Sequence, residues 1–245
     1  MKSIEVGARI DRVFSFTHTK GSVRHTGLCL LLFAERGMSS KAAYEKGQFM
    51  NDSDRKLVWR TQSVKNLLET KVLTVTEERC VSPEGGEGAY IVLNAPDIVI
   101  AVPVLLLPDP HFVLVRQWRH GSKSVSAEFP GGVLDAGEAP EDGARRELRE
   151  ETGYAVGKLA ALGSFSPNPA LMNNRIHVFL AEELADTGAR CPDNDEFLSV
   201  AVEPVSAVCI RLGSPEYSHA LMIAAAFLYL RAAKPYADFP QIFGF

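Results

Sequence analysis

The chain has 245 residues, 46% of them hydrophobic, and a net charge of −4, which predicts one substantial domain with a smaller unit. The slightly acidic balance provides no basic stripe for nucleic acid, and the apolar run at residues 28–34 is too short to cross a bilayer. Four cysteines without metal or redox spacing, and an N-terminus without a secretory signal, favour a cytoplasmic protein with reduced thiols.

Residues 1–49 have no clear hydrophobic period, apart from a candidate strand at residues 23–33. Met50 then opens the segment M-N-D-S-D-R-K-L-V-W, which is typical of an ordinary N-terminus. We therefore predict that residues 1–49 are an appended, poorly packed leader, as a start codon assigned too early would produce; a small functional extension is the alternative. A native N-terminus at Met1, with residues 1–49 resistant to protease, would contradict the leader.

The next segment has the pattern of β-strands. Two strands separated by a turn are predicted at residues 71–80 and 89–93, because apolar and polar side chains alternate there. We interpret residues 50–95 as a small antiparallel β unit and residues 96–245 as the main domain.

The main domain alternates strands with two helices. Proline suits the first turn of a helix and glycine the position after its end, so a helix of about three turns is predicted between Pro140 and Gly153. A second, alanine-rich helix is predicted at residues 218–232. The predicted strands are 97–107, 111–117, 125–129, 157–165, 176–182 and 197–205. This order favours the α/β class, with a mixed sheet between helices.

Three carboxylates share one face of the first helix. Glu147, Glu150 and Glu151 are three or four residues apart, and such a cluster repels itself unless a cation neutralises it. Oxygen ligands favour Mg²⁺, or Mn²⁺, over zinc. The alternative is a solvated face of Arg–Glu pairs, since Arg146 and Glu150 are also four apart. The glycines that precede the helix at fixed spacing favour the metal site.

Residues 132–154 read G-V-L-D-A-G-E-A-P-E-D-G-A-R-R-E-L-R-E-E-T-G-Y. This pattern resembles the box of the Nudix hydrolases, which cut diphosphates linked to a nucleoside. The resemblance implies an α/β/α sandwich, with residues 96–245 as its catalytic domain. It also implies the roles of the box residues: metal ligands at the Gly131 carbonyl, Glu147, Glu150 and Glu151, and structural parts at Gly132, Glu138 and Arg146.

The flanking motifs resemble one group within that family. R-Q-W-R at residues 116–119, followed by E-F-P-G-G at 128–132, is similar to ADP-ribose and ADP-sugar pyrophosphatases. Pro169 and the small β unit fit the same group. The resemblance implies Mg²⁺-dependent attack of water on ADP-ribose, giving AMP and ribose 5-phosphate. The segment S-P-N-P-A departs from that group, because it lacks the glycine common after the S-P pair; the resemblance places this loop over the terminal sugar or the adenine pocket.

Other functions are compatible with part of this pattern. A Nudix hydrolase of a GDP-sugar, NADH or a dinucleoside polyphosphate is the nearest alternative. A nucleotide-binding regulator without turnover belongs to a different class; the complete box argues against it.

Three residues outside the box are candidates for binding the substrate. The fork of Arg119 matches phosphate oxygens, and a surface ion pair is its alternative role; Arg116 is the weaker candidate. Glu128 is expected to meet a ribose hydroxyl or the metal shell, or to form a structural ion pair. Trp59 is expected to stack on the base across a homodimer, as in the group resembled, or to be a core or interface residue.

The reaction also needs a base. An acidic loop resembles the one that supplies this group in ADP-ribose pyrophosphatases; there Glu196 is the first candidate and Asp195 the second, and a solvated loop is the alternative. Glu150 is the candidate within the box. Two lone histidines, His177 and His219, are interpreted as structural groups.

Overall fold

The structure, a computed structural model, describes residues 51–188 and 197–233. The predicted leader, with its candidate strand, lies outside the described residues. Residues 51–58 contain one short helix, α1 (Asp52–Arg55), whose first turn is capped by Asn51: the side chain of Asn51 accepts a hydrogen bond from the backbone N–H of Asp54 at 2.9 Å.

A three-stranded antiparallel sheet follows. Its strands are β1 (Arg60–Glu69), β2 (Thr74–Val81) and β3 (Glu87–Asn94), in that order. The two strands predicted at residues 71–80 and 89–93 correspond to β2 and β3. Every residue of β1 is exposed, so this strand has no buried face whose alternation would show in the sequence.

The main sheet contains seven strands in the order β10-β5-β4-β9-β8, with β6 beside β5 and β7 beside β4. The pair β4–β9 is parallel and the other pairs are antiparallel. The predicted mixed α/β fold is therefore confirmed. The strands are β4 (Ile98–Leu107), β5 (Asp109–Arg119), β6 (Ser124–Glu128), β7 (Gly131–Val133), β8 (Tyr154–Phe165), β9 (Ile176–Asp186) and β10 (Leu198–Pro204).

Helices cover both faces of this sheet. They are α2 (Pro140–Thr152), α3 (Val205–Arg211) and α4 (Ala220–Ala232), with a 3₁₀ turn at Pro215–Tyr217. Successive side chains of a strand point to opposite faces, and β4 uses this alternation to contact two layers. Val99 and Ala101 pack on the α2 side with Ala144 and Leu148. The intervening side chains of β4, Ile100 and Val102, face the larger core. There they pack with residues of α3 and α4: Val205, Val208, Met222, Ala225 and Tyr229.

The helix α2 begins and ends where its sequence predicts. Pro140 is at its first position, and Gly153 follows its last residue in the left-handed conformation, with φ 80°. The N–H of Gly153 bonds to the carbonyl of Arg149 at 2.9 Å and closes the last turn. The buried stripe of the helix includes Ala144, Leu148 and Glu151, and Glu147 adjoins this stripe on the side of β7.

A polar network around the buried Tyr217 fixes the segment before α4. Tyr217 is fully buried, and its hydroxyl donates a hydrogen bond to Glu203 at 2.7 Å. The guanidinium of Arg211 lies 4.6 Å from the centre of the Tyr217 ring and also pairs with Glu203. This network ties the 3₁₀ turn to α3 and β10, and so sets where α4 begins.

Among residues 51–188 and 197–233, no helix is long and apolar enough to cross a membrane.

The described residues 51–188 and 197–233 contain two free, buried cysteines, Cys80 and Cys209. Burial raises the pKa of the Cys209 thiol to about 11. A thiol with so high a pKa is protonated near neutral pH and is a poor nucleophile.

Candidate active site

Glu151 lies against the glycine segment that precedes α2. Its side chain is only 2% exposed, and its Oε2 accepts a hydrogen bond from the N–H of Gly131 at 3.0 Å. Gly131 belongs to β7, which pairs with β4 through Ile100. The last turn of the box helix is thus joined directly to the central strand of the sheet.

Glu147, one turn earlier, lies against the next glycine. A Cβ atom built on Gly132 would be 2.4 Å from Oε1 of Glu147 and 2.8 Å from its Oε2. Only a residue without a side chain permits so close an approach. The carboxylates of Glu147 and Glu151 therefore both contact the same two-residue stretch of backbone.

Arg146 connects the remaining glutamates of the box. It donates two hydrogen bonds to Glu138, both 2.9 Å, one to Glu147 at 2.8 Å and one to Glu150 at 3.2 Å. The hydrogen bonds from Arg146, and then the backbone N–H of Asp135, lower the pKa of Glu138 to about 2. The carboxylate of Glu138 is therefore ionised, and its hydrogen bonds with Arg146 hold the loop before α2 to that helix.

The donor set fits a hard divalent cation at the glycine segment. Glu147 and Glu151 supply carboxylate oxygens there, and Mg²⁺ is typically held by one or two carboxylates with water and substrate phosphates. Glu150 is turned toward Arg146 instead. Among residues 51–188 and 197–233, no three His, Cys, Asp or Glu side chains are grouped closely enough to hold a metal ion by themselves.

A cleft of about 540 Å³ lies beside this segment. Gly131 and Gly132 form part of its wall, and so do Arg119, Glu128 and His219. A larger cavity, of about 860 Å³, lies between the ends of β4 and β9 and helix α4, but none of the predicted site residues lines it. The smaller cleft is therefore the candidate substrate site, because it adjoins the carboxylates.

Glu128 is the buried anion of the cleft. It is 3% exposed, and it accepts hydrogen bonds from Nε and Nη2 of Arg119, at 2.8 and 2.5 Å. Nδ1 of His219 lies 2.8 Å from its Oε2. Burial alone would raise the pKa of Glu128, but the hydrogen bonds and charges of Arg119 and His219 outweigh it and lower this pKa to about 2. From the sequence, Arg119 and Glu128 were separate candidates, and neither was predicted to contact His219.

The depressed pKa of Glu128 predicts a loss of stability in acid. A carboxylate with a lower pKa in the folded state stabilises the protein above its unfolded-state pKa, near 4.5, and loses that contribution as pH falls toward 2. At neutral pH this contribution is about 3 kcal/mol. We expect the wild type to have a higher Tm than Glu128→Gln at pH 7, and this gap to narrow between pH 4.5 and 2 in thermal scans by circular dichroism. A gap that does not change with pH would contradict the assignment.

The two glycines predict opposite results when each is replaced by alanine. In Gly132→Ala the new methyl meets the end of a flexible side chain, so the fold persists while Glu147 is displaced; we expect kcat to fall roughly 10–10²-fold with Tm within about 2 °C of the wild type. In Gly131→Ala the methyl would lie 2.2 Å from the carbonyl of Val99, so backbone must move and stability falls by about 1–3 kcal/mol. Parallel assays and melting curves check both. A Gly132→Ala enzyme with full activity would show that the position of Glu147 does not matter.

Other predicted residues lie elsewhere or outside the described ranges. Trp59 packs edge-on against Tyr90 of the small sheet, with ring centres 5.4 Å apart. Arg116 pairs with Glu216. His177 bonds Asp97 at 3.0 Å. The two candidate bases of the acidic loop, Asp195 and Glu196, are not among the described residues.

Comparison with known proteins decides the family. The model of the NUDIX domain matches residues 97–221, which is half of the chain and runs from the start of β4 to the first turn of α4. The chain belongs to the Nudix hydrolase family. This Nudix hydrolase is 34% identical over 143 residues to the ADP-ribose pyrophosphatase of Bacillus subtilis (strain 168), covering 58% of this chain and 76% of that relative. The resemblance predicted from residues 132–154 is thereby confirmed.

Two further comparisons agree with the family. ADP compounds hydrolase NudE of Escherichia coli (strain K12) is 28% identical over 128 residues, which cover 52% of this chain and 68% of that relative. A crystal structure of an ADP compounds hydrolase superposes with a TM-score of 0.64 and 24% identity, covering 71% of this chain and 94% of the other. At that identity the structural likeness supports the fold.

Proposed function

We propose that this Nudix hydrolase cleaves a nucleoside diphosphate linked to a sugar, with ADP-ribose preferred, and releases AMP and ribose 5-phosphate. The observation that carries the proposal is the position of Glu147 and Glu151 on Gly131–Gly132, at the wall of the cleft. The preference for ADP-ribose is supported by relatives named ADP-ribose pyrophosphatase and ADP compounds hydrolase.

Mg²⁺ is the proposed metal, and Mn²⁺ is a suitable substitute. Nudix hydrolases generally use divalent metal ions, and the oxygen donors at the glycine segment fit Mg²⁺. Glu147, Glu151 and the Gly131 carbonyl would hold it. A bound divalent ion supplies Lewis acidity to the diphosphate oxygens and lowers the pKa of water.

The protein's own residues prepare this site. Arg146 holds Glu147 in place and pairs with Glu150, so neither helix carboxylate has to be oriented when substrate arrives. For the base that takes the proton of the attacking water, Glu196 is our first assignment, Asp195 the second and Glu150 the third. Replacing each by its amide separates them: the true base is the one whose loss lowers kcat and removes the acidic limb of the pH–rate profile.

A panel of diphosphates tests the function. ADP-ribose, ADP-glucose, GDP-mannose, NADH and diadenosine polyphosphates are incubated with Mg²⁺, with and without EDTA, and the products are separated by chromatography. Cleavage that EDTA abolishes and that is fastest for ADP-ribose supports the proposal. Preference for another diphosphate retains the chemistry and overturns the substrate. Tight nucleotide binding without cleavage of any compound overturns the enzyme in favour of a regulator.

We also infer a homodimer, with Trp59 of the small sheet stacking on the base held by the other subunit. Strand β1 exposes Val64, Leu67 and Leu68, and an exposed apolar strand is a surface that proteins normally cover. The relatives do not decide this assembly, so it rests on the exposed strand and on the group resembled.

The exposed strand predicts the effect of one substitution on assembly. We expect light scattering to give twice the 26.8 kDa of one chain for the wild type, and the mass of one chain for Val64→Lys, because a charge cannot be buried in the interface without a partner. Leu106→Lys, at an exposed leucine of β4, is the matched control and should leave the mass unchanged. A Val64→Lys protein that remains a dimer would exclude this face of β1 from the interface.

A further inference from the structure

The start of helix α4 forms one wall of the cleft beside the glycine segment. Residues 218–222 all line the cleft, and Nδ1 of His219 among them lies 2.8 Å from Oε2 of Glu128. No side chain of the described structure caps this helix start. The position of the wall therefore depends on how the preceding residue, Tyr217, is held.

Tyr217 is held by Glu203, which lies near the end of β10. The Tyr217 hydroxyl donates a hydrogen bond of 2.7 Å to this carboxylate. Burial, and then this hydrogen bond, raise the pKa of Tyr217, so the hydroxyl stays protonated and remains a donor. Arg211 of α3 pairs with the same carboxylate, and its guanidinium lies 4.6 Å from the centre of the Tyr217 ring. Two elements, β10 and α3, thus meet at this one side chain.

Glu216 joins the same 3₁₀ turn to a third element, the strand β5. Its carboxylate pairs with Arg116 of β5 and, at 3.4 Å, with Arg211. Arg116 is two residues from Leu114 and four from Phe112, so the three side chains lie on one face of β5. Phe112 and Leu114 belong to the core beneath α3 and α4, which places Arg116 on the side of the sheet where the 3₁₀ turn lies.

We propose that Glu203 and Glu216 are positioning residues for the cleft: through Tyr217 they hold residues 218–222 at its wall, with His219 against Glu128. Neither Glu203 nor Glu216 lines the cleft, so both act through the turn and not on the substrate. Arg116, the weaker phosphate candidate from the sequence, acts in this assignment through Glu216. The inference rests on the proposed function, because its kinetic test measures cleavage of the same diphosphate.

A displaced wall should weaken substrate binding and leave the metal ligands where they are. The contacts that join Glu147 and Glu151 to the glycine segment involve no residue of the network around Tyr217. The acidic loop of the candidate bases joins β10 at Leu198, which is roughly 17 Å along the strand from Glu203. We therefore expect KM to rise while kcat changes little.

The first test compares two substitutions of Glu203 in the full chain, assayed well below the Tm of each variant. Glu203→Leu removes the acceptor of a buried hydroxyl, whereas Glu203→Gln keeps an oxygen that can accept the same hydrogen bond. We expect KM for ADP-ribose to rise about tenfold in Glu203→Leu with kcat within about twofold, and Glu203→Gln to recover most of the affinity. Lys158→Gln, which removes an exposed ion pair between β8 and β9, is the control and should change neither parameter. A lower Tm with an unchanged KM in Glu203→Leu would make the network structural alone and overturn the proposal.

The second test separates the two roles of Arg116. If Arg116 and Glu216 act as one bridge, Arg116→Leu and Glu216→Leu each raise KM about threefold, and the double variant is no worse than Glu216→Leu alone. If Arg116 contacts the phosphates directly, Arg116→Leu raises KM and Glu216→Leu does not. That second result would remove Glu216 from the proposal.

The third test is independent of turnover. The ring resonances of ¹⁵N-labelled histidine are followed by NMR, and the His219 signals are identified by their loss in His219→Gln. We expect these signals to move in Glu203→Leu and in Arg116→Leu, whose altered side chains are not neighbours of His219 in the sequence, but not in Lys158→Gln. Tyr217→Phe, which removes only the hydroxyl and keeps the ring, serves in place of Glu203→Leu if that variant does not fold. His219 signals at their wild-type positions in all the network variants would overturn the proposal.

The NMR result and the proposed function can fail separately. If the His219 signals move as expected but no diphosphate sugar is cleaved, the positioning network stands and the proposed substrate is wrong. If ADP-ribose is cleaved in an EDTA-sensitive manner while the network variants keep the wild-type KM and His219 signals, the function stands and the positioning network is wrong.

Discussion

Glu151→Gln should retain the fold and lose about 10³-fold in kcat/KM for ADP-ribose. The amide keeps an oxygen that can accept the hydrogen bond of the Gly131 N–H, so the contact between α2 and β7 survives. What it removes is the negative charge that would bind the metal, and the charge stabilisation that depends on that metal is worth several kcal/mol. Steady-state kinetics and a metal titration by calorimetry measure the two effects.

The matched control lies on the same helix. Glu141→Gln removes an exposed carboxylate from the first turn of α2, where its loss costs at most a few tenths of a kcal/mol through the helix dipole. It should bind metal and turn over substrate like the wild type. If Glu151→Gln also did so, Glu151 would have no part in metal binding, and the role assigned to it would have to pass to another carboxylate.

The box and its helix were predictable because their signals are local. Pro140 and Gly153 mark the ends of α2 through backbone geometry that depends on few neighbours. The apolar strand predicted at residues 97–107 was equally visible, since β4 is buried on both faces and needs a continuous apolar run.

Other elements gave no comparable signal. The strand β1 has no buried face, so its residues do not alternate in the way that identifies a half-buried strand. The short helix α3 directly follows Pro204, whereas the strand predicted from the sequence continued to residue 205. Its seven residues are too few to show a helical period.

The contact of His219 with Glu128 was not predicted, for a different reason. A lone histidine is usually a structural group, and only the fold brings it to Glu128, which lies far away in the sequence. A local hint existed: Ser218-His219 occupies the start of a predicted helix, where polar groups meet unpaired N–H donors. Pairing it with the glutamate of the E-F-P-G-G motif required the tertiary structure.

The pair Arg119–Glu128 should show a large coupling in a double-mutant cycle. Arg119→Leu leaves the buried anion of Glu128 paired with His219 but without its arginine, which we expect to cost about 3 kcal/mol, or roughly 6–12 °C in Tm. Glu128→Leu should cost less, since the Arg119 side chain is 42% exposed and can reach water. The double leucine variant should recover most of the loss, because no unpaired charge is then buried.

Activity of the same double variant distinguishes the two roles that the sequence left open for Arg119. If Arg119 only neutralises Glu128, the two residues can be removed together without loss of function. KM for ADP-ribose then returns to the wild-type value, as the Tm does. Because Arg119 also lines the cleft, we expect KM to stay about tenfold high, as for a lost contact to a charged substrate. Recovery of Tm without recovery of KM would place the Arg119–Glu128 pair in substrate binding, and KM of Glu128→Leu alone would show whether the carboxylate accounts for it; recovery of both would make the pair structural alone.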